Sequence, residues 1–291
     1  MSDPIDSPAP LFILAPPLGL GAHLAAALGR LPGFAALPAT QLFCADTPRL
    51  LADHWGPRMS GHDHGLIRAH ARYLFGAEDD AAAQQAADWL DDNADQPAAT
   101  IMADLQFIVA PRRLIDPSFL YAIEDSALPR IARAYPDARF IHLLRHPAAA
   151  LSSPDLAAAR GESLWLRPHL RIHAFLAERD PLSWLRLRIE ALAEDPAGLF
   201  SAVLDWLGMP SGPDAIDRLL DPATGTSPAG SGFAGQGPAL APHGVDPALV
   251  ADPALDALFM APKAPEWDEA DWAAAGFDDE TRAMARLFGY I

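Results

Sequence analysis

The run LFILAPPLGLGAHLAAALGRLPGF, Leu11 to Phe34, constrains this chain more than any other stretch. Leu11 to Ala15 are continuously apolar, the pattern of a short strand covered on both faces, as in a parallel sheet. Pro16 and Pro17 interrupt any regular element, Gly19 and Gly21 permit a turn, and the helix formers of AHLAAALGRL then run to Gly29 and beyond. A strand led through a glycine loop into a helix presents backbone N–H groups to an anion. This loop, however, holds no lysine, arginine, serine or threonine. Whatever it binds must be held by the backbone and by side chains from elsewhere.

Leu11 to Gly29 carries no formal charge, so a membrane span or signal peptide is the competing reading. The preceding MSDPIDSPAP is acidic where a signal peptide is basic, and the paired prolines would break a spanning helix. A buried strand, loop and helix are expected instead, with no membrane partner. Thirty-eight acids against 21 bases give a net charge of −17, which disfavours nucleic acid and anionic lipid. An anionic ligand therefore depends on a few well-placed bases. The single Cys44 excludes an internal disulfide and suits a reducing, cytoplasmic setting.

Further along, RRLIDPS (Arg112 to Ser118), ARFIHLL (Ala138 to Leu144) and WLRLRIEAL (Trp184 to Leu192) read as strands. Helices are expected through EDSALPRIARAY and AEDPAGLFSAVLDWLGM, the latter with Pro196 at its start and Gly208 at its end. Strands alternating with helices predict an α/β fold, a parallel sheet of about four or five strands with helices on both faces and ligands beyond the strands' carboxyl ends. Residues 1–10 read as a flexible leader and 11–210 as the main domain. Within it, about 41–95 form a helical insertion able to wall a substrate cleft. Residues 211–291 read as an irregular loop and C-terminal segment packing on the same domain.

Three pieces resemble the sulfotransferases that use 3′-phosphoadenosine-5′-phosphosulfate (PAPS) as donor: LFILAPPLGLGAHLAAALGRLPGFAALPATQLF, YPDARFIHLLRHPAAALSS and LRLRIEALAEDPAGLFSAVLDWLGM. They stand in that family's order. The resemblance implies a P-loop-like sulfotransferase fold of the bacterial type. Its phosphosulfate loop would be formed by Gly19, Leu20, Gly21, Ala22 and His23, and Arg145 and Ser153 would hold the donor's 3′-phosphate. Ile189 stands where tyrosine is common, and the following Glu190 matches. A weaker likeness covers LIDPSFLYAI and GPALAPHGVDPALV, the latter similar to a late loop of members with large or carrier-bound substrates.

The departures concern the reacting groups. Family loops read close to Pro-Arg-Ser-Gly-Thr-Thr, whereas Pro16 to Gly21 here carry Pro17 in place of the cation and no hydroxyl. Pro117 replaces a family lysine, and Ala39 stands where many members carry a glutamate near the acceptor. Sulfuryl transfer relies on positioned cations and donors, so each loss should cost on the order of 10²-fold by analogy with oxyanion holes. The loop is degenerate in that sense.

His23, in the first turn of the helix, either replaces the missing cation, moves a proton, or is an ordinary helix residue. Arg145, at the carboxyl end of a buried strand, meets a ligand anion or pairs with an acid. His62 and His64 in GHDHG are candidate bases in the acceptor wall; no HExxH-like spacing accompanies them, so no metal is expected. Asp116 is a candidate base or orienter, or a turn cap. Arg112 and Arg113 either grip an acidic acceptor or cover a sheet edge. No G-x-S-x-G elbow and no Walker A lysine is present. Transfer of a sulfuryl group from PAPS to a hydroxyl or amine of a small or carrier-bound acceptor leads. The alternatives are a non-catalytic binding or scaffold descendant, and an enzyme using the old donor site for another ligand.

Overall fold

The structure, a computed structural model, describes residues 7–17, 19–55, 63–150, 161–220, 267 and 269–291. Its centre is a five-stranded parallel sheet in the order β2-β3-β1-β4-β5. The strands are β1 (Leu11–Leu14), β2 (Phe34–Ala36), β3 (Arg113–Asp116), β4 (Arg139–Leu144) and β5 (Trp184–Arg188). β1 pairs with β3 on one side and β4 on the other, so the chain's direction of winding reverses across β1. Ligands of open α/β sheets bind beyond the carboxyl ends at such a reversal. The glycine loop leaves β1 at that point.

Every residue of β1 is fully buried. Alternation of side chains divides the apolar residues between two cores. Phe12, Leu14, Leu114 and Phe140 point to one, and Leu11, Ile13, Ile115 and Ile141 to the other. The first core is roofed by α5 (Ala98–Val109), α6 (Ala127–Ala134) and α8 (Gly161–Ala177). The second is roofed by α1 (Gly21–Leu28), α10 (Pro196–Leu207) and α11 (Pro213–Leu220). Burying each large apolar side chain contributes about 1.5–3 kcal/mol, which makes the doubly covered β1 the anchor of the sheet.

The helical wall is α2 (Pro48–Trp55), α3 (Asp63–Tyr73) and α4 (Asp80–Asp92). Gly65 lets α3 approach the sheet closely, because a Cβ there would lie 2.1 Å from the Ala39 carbonyl oxygen. Short helices α7 (Pro147–Ala150) and α9 (Ala191–Glu194) leave β4 and β5, and α12 (Glu269–Ala274) and α13 (Asp279–Leu287) end the chain. Trp272, Met284, Ala285 and Phe288 from this last segment pack with Leu144, Ala150 and Trp165 at the β4 exit.

Several expectations need correction. β2 is three residues long, too short to show a period, and was hidden in the turn after α1. The strand beginning at Trp184 stops at Arg188, and Ala191 to Leu192 belong to a helix. α5 and α8 had no clear reading, since α5 is apolar around most of its circumference and Pro168 interrupts the pattern of α8. Residues 213–220, read as irregular, form α11 with Pro213 at its first position and Ile216 and Leu219 buried. Arg113 opens β3 at the amino end of the sheet and donates to the Ala9 carbonyl at 2.7 Å, so it is far from any cleft at the carboxyl ends. No helix among the described residues is long and apolar enough to cross a membrane.

Candidate functional site

The loop from β1 to α1 is shaped by its backbone. The Gly19 N–H donates to the Pro16 carbonyl at 3.0 Å, and a Cβ on Gly19 would fall 2.8 Å from the Ala15 Cβ and 2.9 Å from that carbonyl oxygen. Leu20, not a glycine, takes the left-handed conformation, with φ 62°. That costs a non-glycine residue on the order of 1 kcal/mol, offset by packing its side chain on the second core. Leu20 also occupies the N-cap position of α1 and offers no side-chain acceptor, and no acid stands in the helix's first turn. The first-turn N–H groups lack intrahelical acceptors by construction, so α1 presents an uncapped, partly positive end.

His23 sits in that turn, 3% exposed, and neither ring nitrogen has a hydrogen-bond partner among the described residues. Burial, and then the Arg145 charge, hold its pKa below the ordinary imidazole value. Both effects favour the neutral imidazole, a donor on one nitrogen and an acceptor on the other. A buried polar group without a partner calls for explanation, and an absent ligand is one.

Arg145 follows β4 and is half-buried; burial lowers its pKa, while Glu190 and Tyr290 act in the opposite sense. The peptide joining Arg145 to His146 is held from both sides. Trp165 on α8 donates its indole N–H to the Arg145 carbonyl at 2.8 Å, and the His146 N–H donates to Glu190 Oε1 at 2.6 Å. The other carboxylate oxygen of Glu190 accepts from the Tyr290 hydroxyl at 3.1 Å. Arg188 donates to the Gly289 carbonyl at 2.9 Å, tying the same C-terminal turn to the end of β5. The His146 ring is enclosed by Trp267, Trp272 and Tyr290, with ring centres 5.0–5.1 Å away. Glu190 entered the sequence reading only as a matching letter. Its two partners, His146 and Tyr290, come from separate parts of the chain, a convergence no local pattern reveals.

Asp116 is fully buried at the end of β3 and its carboxylate is saturated. Oδ2 accepts from the Thr40 and Tyr121 hydroxyls, each at 2.9 Å, and Oδ1 from the Ser118 N–H at 2.9 Å and the Ser118 hydroxyl. Gln41 completes the knot, its N–H on Ser118 Oγ and its side-chain oxygen accepting from the Leu120 N–H. Burial raises the carboxyl's pKa and these hydrogen bonds oppose it. With its lone pairs spent on fixing the turn after β2 to the turn after β3, Asp116 has the geometry of a structural knot and not of an open base.

Ser153 and His62 lie outside the described residues, and His64 stands in the first turn of α3, where its side chain is likewise undescribed. His70 is buried in the wall, donates to the Leu66 carbonyl at 2.8 Å and stacks on Trp89. A set of histidines that the sequence did not single out lies beneath the C-terminal helix. His142, His169, His173 and Arg186 form one hydrogen-bonded cluster under Phe288.

The comparisons agree with this architecture. A sulfotransferase domain from the curacin biosynthetic pathway is similar with 21% identity and a TM-score of 0.74 over 98% of each chain. The sulfotransferase domain of the Synechococcus PCC 7002 olefin synthase is similar with 24% identity and a TM-score of 0.74, covering 100% of this chain and 98% of that one. At such identity these likenesses establish the fold. No curated protein matches the sequence. The model of a sulfotransferase family matches residues 10–213, more than two thirds of the chain, and the chain belongs to that family.

Proposed function

We propose that the protein transfers a sulfuryl group from PAPS to a hydroxyl or amine of a small or carrier-bound acceptor. The observation carrying this reading is the buried His23, unpartnered among the described residues, in the first turn of an uncapped helix and within the field of Arg145. The residues fit a nucleotide charged at both ends. Backbone N–H groups of Gly21, Ala22 and His23 would meet the phosphosulfate end, and Arg145 the 3′-phosphate, with Ser153 a further candidate there. PAPS, when bound, supplies the activated sulfuryl group. His23 would contribute a neutral imidazole, able to donate to an anionic oxygen from one nitrogen and take the acceptor's proton on the other. Both structural neighbours come from biosynthetic systems by name, which is compatible with an acceptor delivered within such a route.

A loop without side-chain cation or hydroxyl favours a second reading, a descendant that binds the nucleotide without turning it over. Titration calorimetry with adenosine 3′,5′-bisphosphate tests the site. Binding on the order of micromolar, lost in Arg145→Ala, is expected; no heat with the wild-type protein would overturn the donor assignment. Mass spectrometry of acceptor mixtures incubated with PAPS separates the readings: an 80-Da gain typical of sulfation, roughly the mass of SO3, marks transfer, and binding without it marks a binding module.

A further inference from the structure

The Arg145–His146 peptide is gripped on its carbonyl side by the Trp165 indole and on its N–H side by Glu190, both buried. A peptide plane fixed at both ends sets the direction in which the Arg145 side chain leaves the sheet. Glu190 is itself 2% exposed and held by Tyr290, whose hydroxyl burial and Glu190 keep protonated by raising its pKa. Near Arg145, then, Glu190 has its oxygens engaged by the His146 N–H and the Tyr290 hydroxyl. Resting on the donor reading above, we propose that Glu190 is a positioning residue for Arg145, aiming its guanidinium at the nucleotide's 3′-phosphate and tying that aim to the C-terminal turn through Tyr290.

This assigns a task to the last residues of the chain. The turn carrying Tyr290 is bound to both strand exits, through Glu190 and through Arg188. Without Glu190 the His146 N–H would lose a buried acceptor and the peptide could rotate, so Arg145 would keep its charge but lose its direction. A misdirected arginine forfeits geometry that a charge-assisted hydrogen bond requires.

The test compares two probes, adenosine 3′,5′-bisphosphate and adenosine 5′-monophosphate, by calorimetry on the full chain. Their affinity ratio isolates the 3′-phosphate. Glu190→Ala should cut that ratio roughly 10- to 100-fold, as Arg145→Ala does, and the double variant should lose no more than either single one. Glu190→Gln, which keeps an acceptor for the His146 N–H, should recover most of the ratio, and Tyr290→Phe should fall between. A fall in affinity equal for both probes, or additive losses in the double variant, would overturn the positioning role. If Glu190→Ala does not fold, a Glu190→Gln ratio as low as that of Arg145→Ala would overturn it as well. A wild-type protein with no preference for the bisphosphate would overturn the donor reading, and with it this role.

Discussion

Acidification should destabilise this protein through the histidines beneath α13, whose hydrogen bonds fix their tautomers. Arg186 can only donate, so His142 Nδ1, 3.4 Å from Arg186 Nε, must be an acceptor and the His142 proton sits on Nε2. That nitrogen lies 2.9 Å from His169 Nδ1, which must accept in turn and leaves the His169 proton on Nε2. His173 Nδ1 accepts from Arg186 at 3.0 Å. A second proton on His142 or on His169 Nδ1 would meet a donor already pointing at it. Burial, and then the Arg186 charge, push the His169 pKa down to about 3. In the unfolded chain the group titrates near 6.5. Because the folded value is the lower one, the contribution is intact above pH 6.5 and is lost as pH falls from there toward 3. Across that window the unfolded state binds about one more proton, so stability falls by about 1.4 kcal/mol per pH unit and by about 2 kcal/mol at pH 5 from this group alone. Urea unfolding at constant ionic strength from pH 8 to pH 5, followed by tryptophan fluorescence, measures it. His169→Asn, whose amide oxygen can replace Nδ1 as the acceptor, should be less stable at pH 8 but show a pH slope shallower by about 1.4 kcal/mol per unit below pH 6. Parallel pH curves for the two proteins would refute the neutral-pair argument.

Three further outcomes follow from the loop, the wall and the knot. Pro17→Arg should tighten adenosine 3′,5′-bisphosphate binding roughly tenfold by restoring a cation to the loop, and unchanged calorimetry would show that residue 17 does not face the nucleotide. Gly65→Ala should cost about 3 kcal/mol or more in thermal or urea stability, because its Cβ would strike the Ala39 carbonyl oxygen at 2.1 Å; a cost under about 1 kcal/mol would mean that α3 does not sit on that turn. Thr40→Val removes one donor from the buried Asp116 carboxylate and should destabilise the fold by about 1–3 kcal/mol, with a negligible change counting against the knot.

The sequence alone determined the sheet's centre and the layout around it. β1 read directly as an apolar run and β4 as a mostly apolar one, because strands buried on both faces are predominantly apolar, β3 showed only Leu114 and Ile115 before a turn, and α10 announced itself through Pro196 and Gly208. The motif order pointed to the family, and the missing loop cation was visible as plain spelling. What only the tertiary structure decided is the state of each polar group. Asp116 reads in sequence as a base, an orienter or a turn cap, and becomes a saturated knot because Thr40, Ser118 and Tyr121 meet it from two turns. His23, in sequence a stand-in cation, a proton carrier or an ordinary helix residue, becomes a buried imidazole beside Arg145. Glu190 acquires its role from His146 and Tyr290, the latter a hundred positions away along the chain. Apolar burial is set by local pattern, since it asks only that a face be covered. Hydrogen bonding and charge depend on which groups arrive from distant segments, and that information exists only once the chain has folded.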